Sequence, residues 1–104
     1  SRVGVGMFVE PLFSEKEEEE EEQVKRQVGL RVKGLLPGGP AASSERIEVG
    51  DLLLEVDGEE VAGHPLKALA AKLLGEEGTP VTLRLRRGEE EYDVTLERRA
   101  VSTS

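Results

Sequence analysis

Apolar and polar residues alternate in several short stretches of this chain, and the alternation predicts a fold built mainly from β-strands. Residues 28–36 carry apolar side chains at almost every second position, which is the period of a half-buried strand. The same period recurs over residues 81–86 and 92–97, with the turn Arg87-Gly88-Glu89 between them. These two stretches are therefore expected to form a hairpin with one buried face.

Other segments predict further strands. Met7–Phe13 follows two glycines and is largely apolar, and Pro11 within it marks an edge strand or a bulge, because proline cannot donate to a central ladder. Residues 51–56 are predicted to form another strand, closed by the hairpin signal Asp57-Gly58. Residues 59–62 are expected to return as a brief strand.

One clear helix is predicted over residues 65–74. Pro65 suits the first helical position, His64 is kept out of the helix because it precedes a proline, and Gly75 ends it. Residues 41–45 are expected to form a short helical turn. The apolar residues of the main helix recur at i, i+3, i+4 and i+7, which places on one face Leu66, Leu69, Ala70 and Leu73.

Together these elements predict an α+β fold that is mainly β. We expect five or six short antiparallel strands in a small, partly open barrel, capped by the main helix and the helical turn. With 104 residues there is room for one domain, assigned to residues 1–99. Residues 15–23, with six consecutive glutamates, are predicted to form an inserted acidic loop, and residues 100–104 a flexible tail.

Composition narrows the function. The 22 acidic against 14 basic residues give a net charge of −8, which argues against nucleic-acid binding and against docking on an anionic membrane. The absence of Cys excludes disulfides and thiolate metal sites, and a single His excludes a two-His metal site. No apolar run is long enough for membrane insertion. We therefore expect no metal, no cofactor and a cytoplasmic location, in a domain excised from a longer protein.

Four segments, in order, resemble the PDZ domain family. Gly4-Val5-Gly6-Met7 is similar to the family's Gly-Leu-Gly-Phe loop, and residues 35–42 (LLPGGPAA) to its segment between a strand and a turn. Residues 46–58 (RIEVGDLLLEVDG) resemble the family's most recognisable stretch, and residues 78–83 (GTPVTL) the start of a late strand. The ordered set covers roughly residues 3–87, and it is far more specific than the two-glycine loop alone.

The strand order departs from that of most animal PDZ domains. Only three residues precede the glycine loop, and the strand predicted over residues 92–97 follows the point where such domains end. This arrangement is similar to the permuted PDZ domains of bacterial and plastid proteases of the high-temperature-requirement and C-terminal-processing kinds. The resemblance implies that the last strand takes the place of the missing first one.

The resemblance also implies a function: capture of the C-terminal tails of partner proteins by strand addition. The peptide would lie between the strand Met7–Phe13 and the helix 65–74. Its carboxylate would bind the backbone of Gly4, Val5, Gly6 and Met7, with Arg2 adding charge attraction. Its last, apolar side chain would enter a pocket formed by Val5, Met7, Val9, Ala70 and Leu73. An acidic loop near this groove would favour Lys or Arg upstream in the ligand.

One helix position is expected to select the ligand residue two places before the end. Counting back seven residues from Leu73 on the same face gives Leu66, which favours an apolar ligand side chain. His64 is the alternative, because many PDZ domains carry a His at the start of this helix. If His64 is the selecting residue, the ligand would carry Ser or Thr two places before its end.

Other classes of function fit the sequence less well. No arrangement of residues forms a catalytic site, so the chain is not expected to be an enzyme. A regulatory or substrate-recognition domain of a larger protease is the main alternative. Assembly through its own tail is disfavoured, because Ser104 is not a large apolar residue, and a monomer is expected. Leu73→Asp, or a bulky residue at Gly6, is predicted to abolish binding and leave the fold intact.

Overall fold

The computed structural model describes residues 2–14 and 25–101, in which antiparallel strands predominate. The acidic loop predicted over residues 15–23, and most of the predicted tail, lie outside the described residues. In chain order the elements are β1 (Arg2–Val3), β2 (Met7–Phe13), β3 (Gln27–Leu35), α1 (Pro40–Ser43), β4 (Leu52–Val56), β5 (Glu59–Glu60), α2 (Leu66–Leu73), β6 (Gly75–Glu76), β7 (Pro80–Arg87) and β8 (Glu90–Glu97).

The main sheet has six strands in the order β2-β3-β4-β7-β8, with β5 paired to β4, and β1 pairs with β6 in a second, two-stranded sheet. The predicted fold class is thus confirmed, with the sheets remaining open and not closing into a barrel. β2 has the bounds predicted for it, whereas β1 and β6 were not predicted. Neither helix in the described residues has the length and apolar content that a bilayer crossing requires.

The core is aliphatic and is formed by residues of the main sheet and of α2, together with buried residues between them. Leu30, Leu53, Leu83 and Leu85 are completely buried, and Leu69 joins them from the helix. The alternation along β7 explains the burial of Leu83 and Leu85, because every second side chain of a strand faces the same side of the sheet. The core thus fixes α2 beside β2, with which it is in contact.

A buried carboxylate ties the start of β4 to the final hairpin. Asp51 is 2% exposed and accepts hydrogen bonds from Arg87 at 2.8 and 2.7 Å, from the Tyr92 hydroxyl, and from the Glu48 N–H at 3.0 Å. Burial by itself raises the pKa of Asp51, but these hydrogen bonds outweigh it and hold the pKa below its usual value.

The lowered pKa of Asp51 predicts an acid-sensitive stability. The unfolded chain binds this proton more readily than the folded one, so the contribution is complete above pH 5 and is lost as the pH falls below 4. Asp51→Asn is expected to cost about 2 kcal/mol at pH 6 and much less at pH 3, measured by urea unfolding. Glu89→Gln, at an exposed turn carboxylate, is the control. A difference between wild type and Asp51→Asn that stays constant with pH would contradict the prediction.

Candidate functional site

The loop that joins β1 to β2 has its carbonyl groups fixed by three separate parts of the chain. The carbonyl of Gly4 accepts from the Arg99 N–H at 3.2 Å, that of Val5 from Ala41 at 2.9 Å, and that of Gly6 from Leu36 at 2.8 Å. In a planar trans peptide the N–H of the next residue points the opposite way. The N–H groups of the next three residues in the chain are therefore directed away from the segments that hold these carbonyls.

Two of these amides have no partner within the described residues. The N–H groups of Val5 and Gly6 donate to no acceptor in residues 2–14 or 25–101. Gly6 has φ +71°, and a Cβ there would lie 3.3 Å from the Cβ of Leu36. Glycine is thus required at position 6 by the loop itself. The expectation that a bulky residue at Gly6 leaves the fold intact is corrected, since it would strain this loop.

Beside the loop, one backbone edge of β2 pairs with no other strand in residues 2–14 and 25–101. The Leu36 N–H donates to the Gly6 carbonyl at 2.8 Å, next to the pair Met7↔Leu35, and the Ser14 N–H donates to the Arg26 carbonyl at 2.8 Å, next to the pair Phe13↔Gln27. In an antiparallel ladder, hydrogen-bonded and non-hydrogen-bonded pairs alternate, so the N–H and C=O of Met7 and of Phe13 point away from β3. Because this direction alternates along a strand, the residues whose backbone groups lie on the free edge are Met7, Val9, Pro11 and Phe13.

Helix α2 faces this edge with a partly exposed apolar side. Leu69 and Leu73 are buried in the core, whereas Leu66 is 45% exposed and Ala70 is also exposed. The predicted helix face is therefore divided: two of its residues pack inward and two remain accessible. Pro65, predicted at the first helical position, instead precedes the helix with an extended conformation, at φ −65° and ψ 155°.

The structure places the predicted pocket residues in two layers. Val5 and Leu73 belong to the core, at 2% and 8% exposed. Met7 and Val9 are half-buried and pack against that core, and Ala70 is exposed. The expectation that Leu73→Asp spares the fold is therefore wrong, because it would place a carboxylate among core residues.

Sequence comparison decides the family. Residues 31–87 match the sequence profile described as the PDZ domain. The chain belongs to the PDZ domain family. PDZ domains are non-catalytic modules that bind peptides, and they do so by strand addition.

Proteins similar to this PDZ domain include proteases and other long proteins. A probable CtpA-like serine protease of Staphylococcus saprophyticus is 37% identical over 57 residues, which are 55% of this chain and 12% of that protein. The Patj homolog of Drosophila melanogaster is 37% identical over 84 residues, 81% of this chain and 9% of that protein. The chain thus spans about a tenth of these curated relatives.

Solved structures share the fold. The photosystem II D1 C-terminal processing protease superposes with a TM-score of 0.76 at 25% identity, over 100% of this chain and 25% of that one. The PDZ domain of the carboxy-terminal protease from Vibrio cholerae, solved in complex with a peptide, gives a TM-score of 0.69 at 22% identity, over 95% and 96% of the two chains. The second likeness supports the fold alone.

His64 lies outside the helix of this PDZ domain, as predicted from Pro65. Its N–H donates to the Val61 carbonyl at 2.9 Å, and its own carbonyl accepts from Gln27 Nε2 at 2.6 Å. Its half-buried side chain lines a hollow of about 530 Å³ together with Glu55 and other residues. Leu66 is the first residue of α2. Which of the two selects the ligand stays a prediction.

Two arginines from other parts of the chain donate hydrogen bonds to the C-terminal end of α2, and the sequence did not predict these contacts. Arg98 is 8% exposed and donates to the carbonyls of Lys72, Leu73 and Pro80 at 3.0, 2.9 and 3.1 Å, and to the Thr79 hydroxyl at 3.1 Å. A Cβ on Gly75 would lie 2.8 Å from its guanidinium. One feature of the sequence could have indicated this burial: Val94, Leu96 and Arg98 are spaced two residues apart, so Arg98 faces the same buried side of the chain as Val94 and Leu96.

Arg2 also contacts the helix end. Its guanidinium donates to the Leu74 carbonyl at 2.9 Å and to that of Ala71 at 3.3 Å, so its hydrogen bonds go to α2. Within the described ranges, no three acidic or His side chains lie close enough together to hold a metal ion.

Proposed function

We propose that this PDZ domain captures protein C-terminal tails whose last residue is apolar. The observation that carries the proposal is the fixed direction of the N–H groups of Val5, Gly6 and Met7, set by three anchored carbonyls. Neighbouring backbone amides can form an anion site, and a terminal carboxylate at the start of a strand edge that lacks a partner among the described residues is an anion that suits such a site. A chain that ends there and runs beside β2 lies antiparallel to it.

The apolar side chains around the groove support an apolar last ligand residue. Met7, Val9 and Ala70 offer accessible apolar surface over the core residues Val5 and Leu73. Burying a Val or Leu side chain on such a surface is favourable by about 1.5–3 kcal/mol. Leu66 at the start of α2 supports an apolar residue two places before the end as well.

The arginines at the end of α2 support carboxylate binding through electrostatics. The C-terminal end of α2 is close to the loop, because the Leu74 Cδ2 atom lies 3.4 Å from the position of a Cβ on Gly4. A helix C-terminus carries partial negative charge, which would oppose a carboxylate. Arg2 and Arg98 bind these carbonyls with positive groups and so offset that charge.

Recognition of substrate tails for a larger protease is the second candidate. It is favoured by the likeness to a C-terminal processing protease, in which the matching part is 25% of the chain. In that case the groove would receive the tail of a substrate that another domain cleaves. Both candidates use the same groove, and a tail that is bound and then cut by the full-length protein distinguishes the second.

The test is a peptide screen with free C-termini, followed by amidated copies of the hits. We expect tails ending in Val, Leu or Ile to bind with micromolar affinity, and amidation to weaken them at least tenfold, because a charged acceptor is removed from the amides. Ala70→Glu should abolish binding, whereas Ala71→Glu, an exposed residue one position along α2, should not. Equal affinity for acid and amide forms would refute carboxylate recognition.

A further inference from the structure

The free edge of β2 is interrupted by a residue that has no donor. Of the four residues whose backbone groups face outward, Met7, Val9 and Phe13 each present an N–H and a C=O, but Pro11 presents only a C=O. The proline is tolerated there because its nitrogen faces away from β3, so the ladder within the domain loses no hydrogen bond.

We propose that Pro11 ends the strand that a ligand adds to this domain, so that only the last four ligand residues are held by paired backbone hydrogen bonds. The inference rests on the proposed function, which places the ligand carboxylate on the Met7 amide. In an antiparallel ladder the last ligand residue then pairs with Met7, and the residue two places before it pairs with Val9. The residue four places before the end meets Pro11, which donates nothing to its carbonyl.

The pairing of β2 with β3 shifts register twice, between Phe8 and Val9 and between Leu12 and Phe13, and both times the extra residue belongs to β3. The inward and outward alternation of backbone groups along β2 itself is therefore kept. Because one shift lies within the Met7–Val9 part of the edge and the other beyond Pro11, the missing donor of Pro11 is what separates the Met7–Val9 part from Phe13.

The consequence for specificity is a short recognition segment. Ligand residues beyond the fourth from the end gain at most one backbone hydrogen bond, to the Pro11 carbonyl. They contribute mainly through their side chains, so sequence preference is expected to fall sharply beyond the fourth residue. The missing donor also makes β2 a poor edge for pairing with a second copy of the domain.

Amide hydrogen exchange on the whole domain tests the inference directly. With a saturating eight-residue peptide that ends in a free-acid Val, the Met7 and Val9 amides should become protected, and the Phe13 amide should exchange as in the free protein. Protection of Phe13 equal to that of Val9 would overturn the inference. Absence of protection at Met7 and Val9 would overturn the proposed function itself.

A length series with variants supplies the second readout. Wild type should bind the eight-residue peptide and its last four residues with dissociation constants within about twofold. Pro11→Val and Pro11→Ala restore an N–H and should tighten only the longer peptide, by about two- to tenfold. Leu12→Val, whose N–H already faces β3, is the matched control and should change neither. An equal gain for both peptides in the Pro11 variants would overturn the inference.

Discussion

Replacement of Arg98 with Met is expected to lower the free energy of unfolding by about 3 kcal/mol. Methionine can fill much of the same space, but it leaves the carbonyls of Lys72, Leu73 and Pro80 without the donors that the guanidinium provides. Buried acceptors without partners cost about 1–3 kcal/mol each, and partial access of water reduces the sum. For a domain of this size the melting temperature should fall by about 15 °C.

The neighbouring arginine provides the control for this prediction. Arg99 is exposed, and its side chain donates to Glu97 at 3.2 Å, so Arg99→Met should change the stability by less than about 0.5 kcal/mol. Urea unfolding followed by circular dichroism measures both variants. Arg98→Lys retains the charge without the branched donor geometry and should fall between wild type and Arg98→Met. Equal stability of the two Met variants would show that the buried guanidinium is dispensable.

Leu73→Asp is expected to unfold the domain at room temperature. Leu73 is 8% exposed and lies in the core cluster, so the change removes a large apolar contact and buries an ionised group. The first effect alone costs about 2–5 kcal/mol, which is comparable with the whole stability of a small domain. Loss of the native far-ultraviolet spectrum at pH 7, with partial recovery at pH 4, is the expected observation.

Leu74→Asp is the matched substitution for Leu73→Asp. Leu74 is 40% exposed, so the same chemical change one residue later should cost no more than about 1 kcal/mol and leave the domain folded. A folded Leu73→Asp domain would contradict the core assignment. Peptide binding lost through Leu73→Asp therefore reports on the fold, and Ala70→Glu is the variant that reports on the groove.

The elements with a strong hydrophobic period were predictable, and those without one were not. β2 was predicted with its observed bounds, and α2 within one residue at each end. β1 and β6 contain two residues each, and a two-residue strand has no period to detect. Their pairing depends on the position of the chain at the end of α2, which is a tertiary effect.

The resemblance indicated the candidate loop Gly4–Met7 through its two glycines, but the sequence did not indicate what holds that loop in place. The donors that fix the loop are the backbone amides of Leu36, Ala41 and Arg99. Every residue except proline has a backbone amide, so the residue type does not reveal which amides act as these donors. The burial of Arg98 was not predicted because arginine is almost never buried unless it is paired, and its partners can be identified only in the folded structure.

The contact between Gly75 and Arg98 restricts how this sequence can change over generations. A methyl group at position 75 would lie 2.8 Å from a guanidinium that four hydrogen bonds hold in place. A side chain at position 75 therefore clashes with Arg98 while Arg98 is present, and replacement of Arg98 by a smaller residue removes that clash. The two positions, 23 residues apart in the chain, are therefore expected to covary, with the first step at either one carrying a cost in fitness.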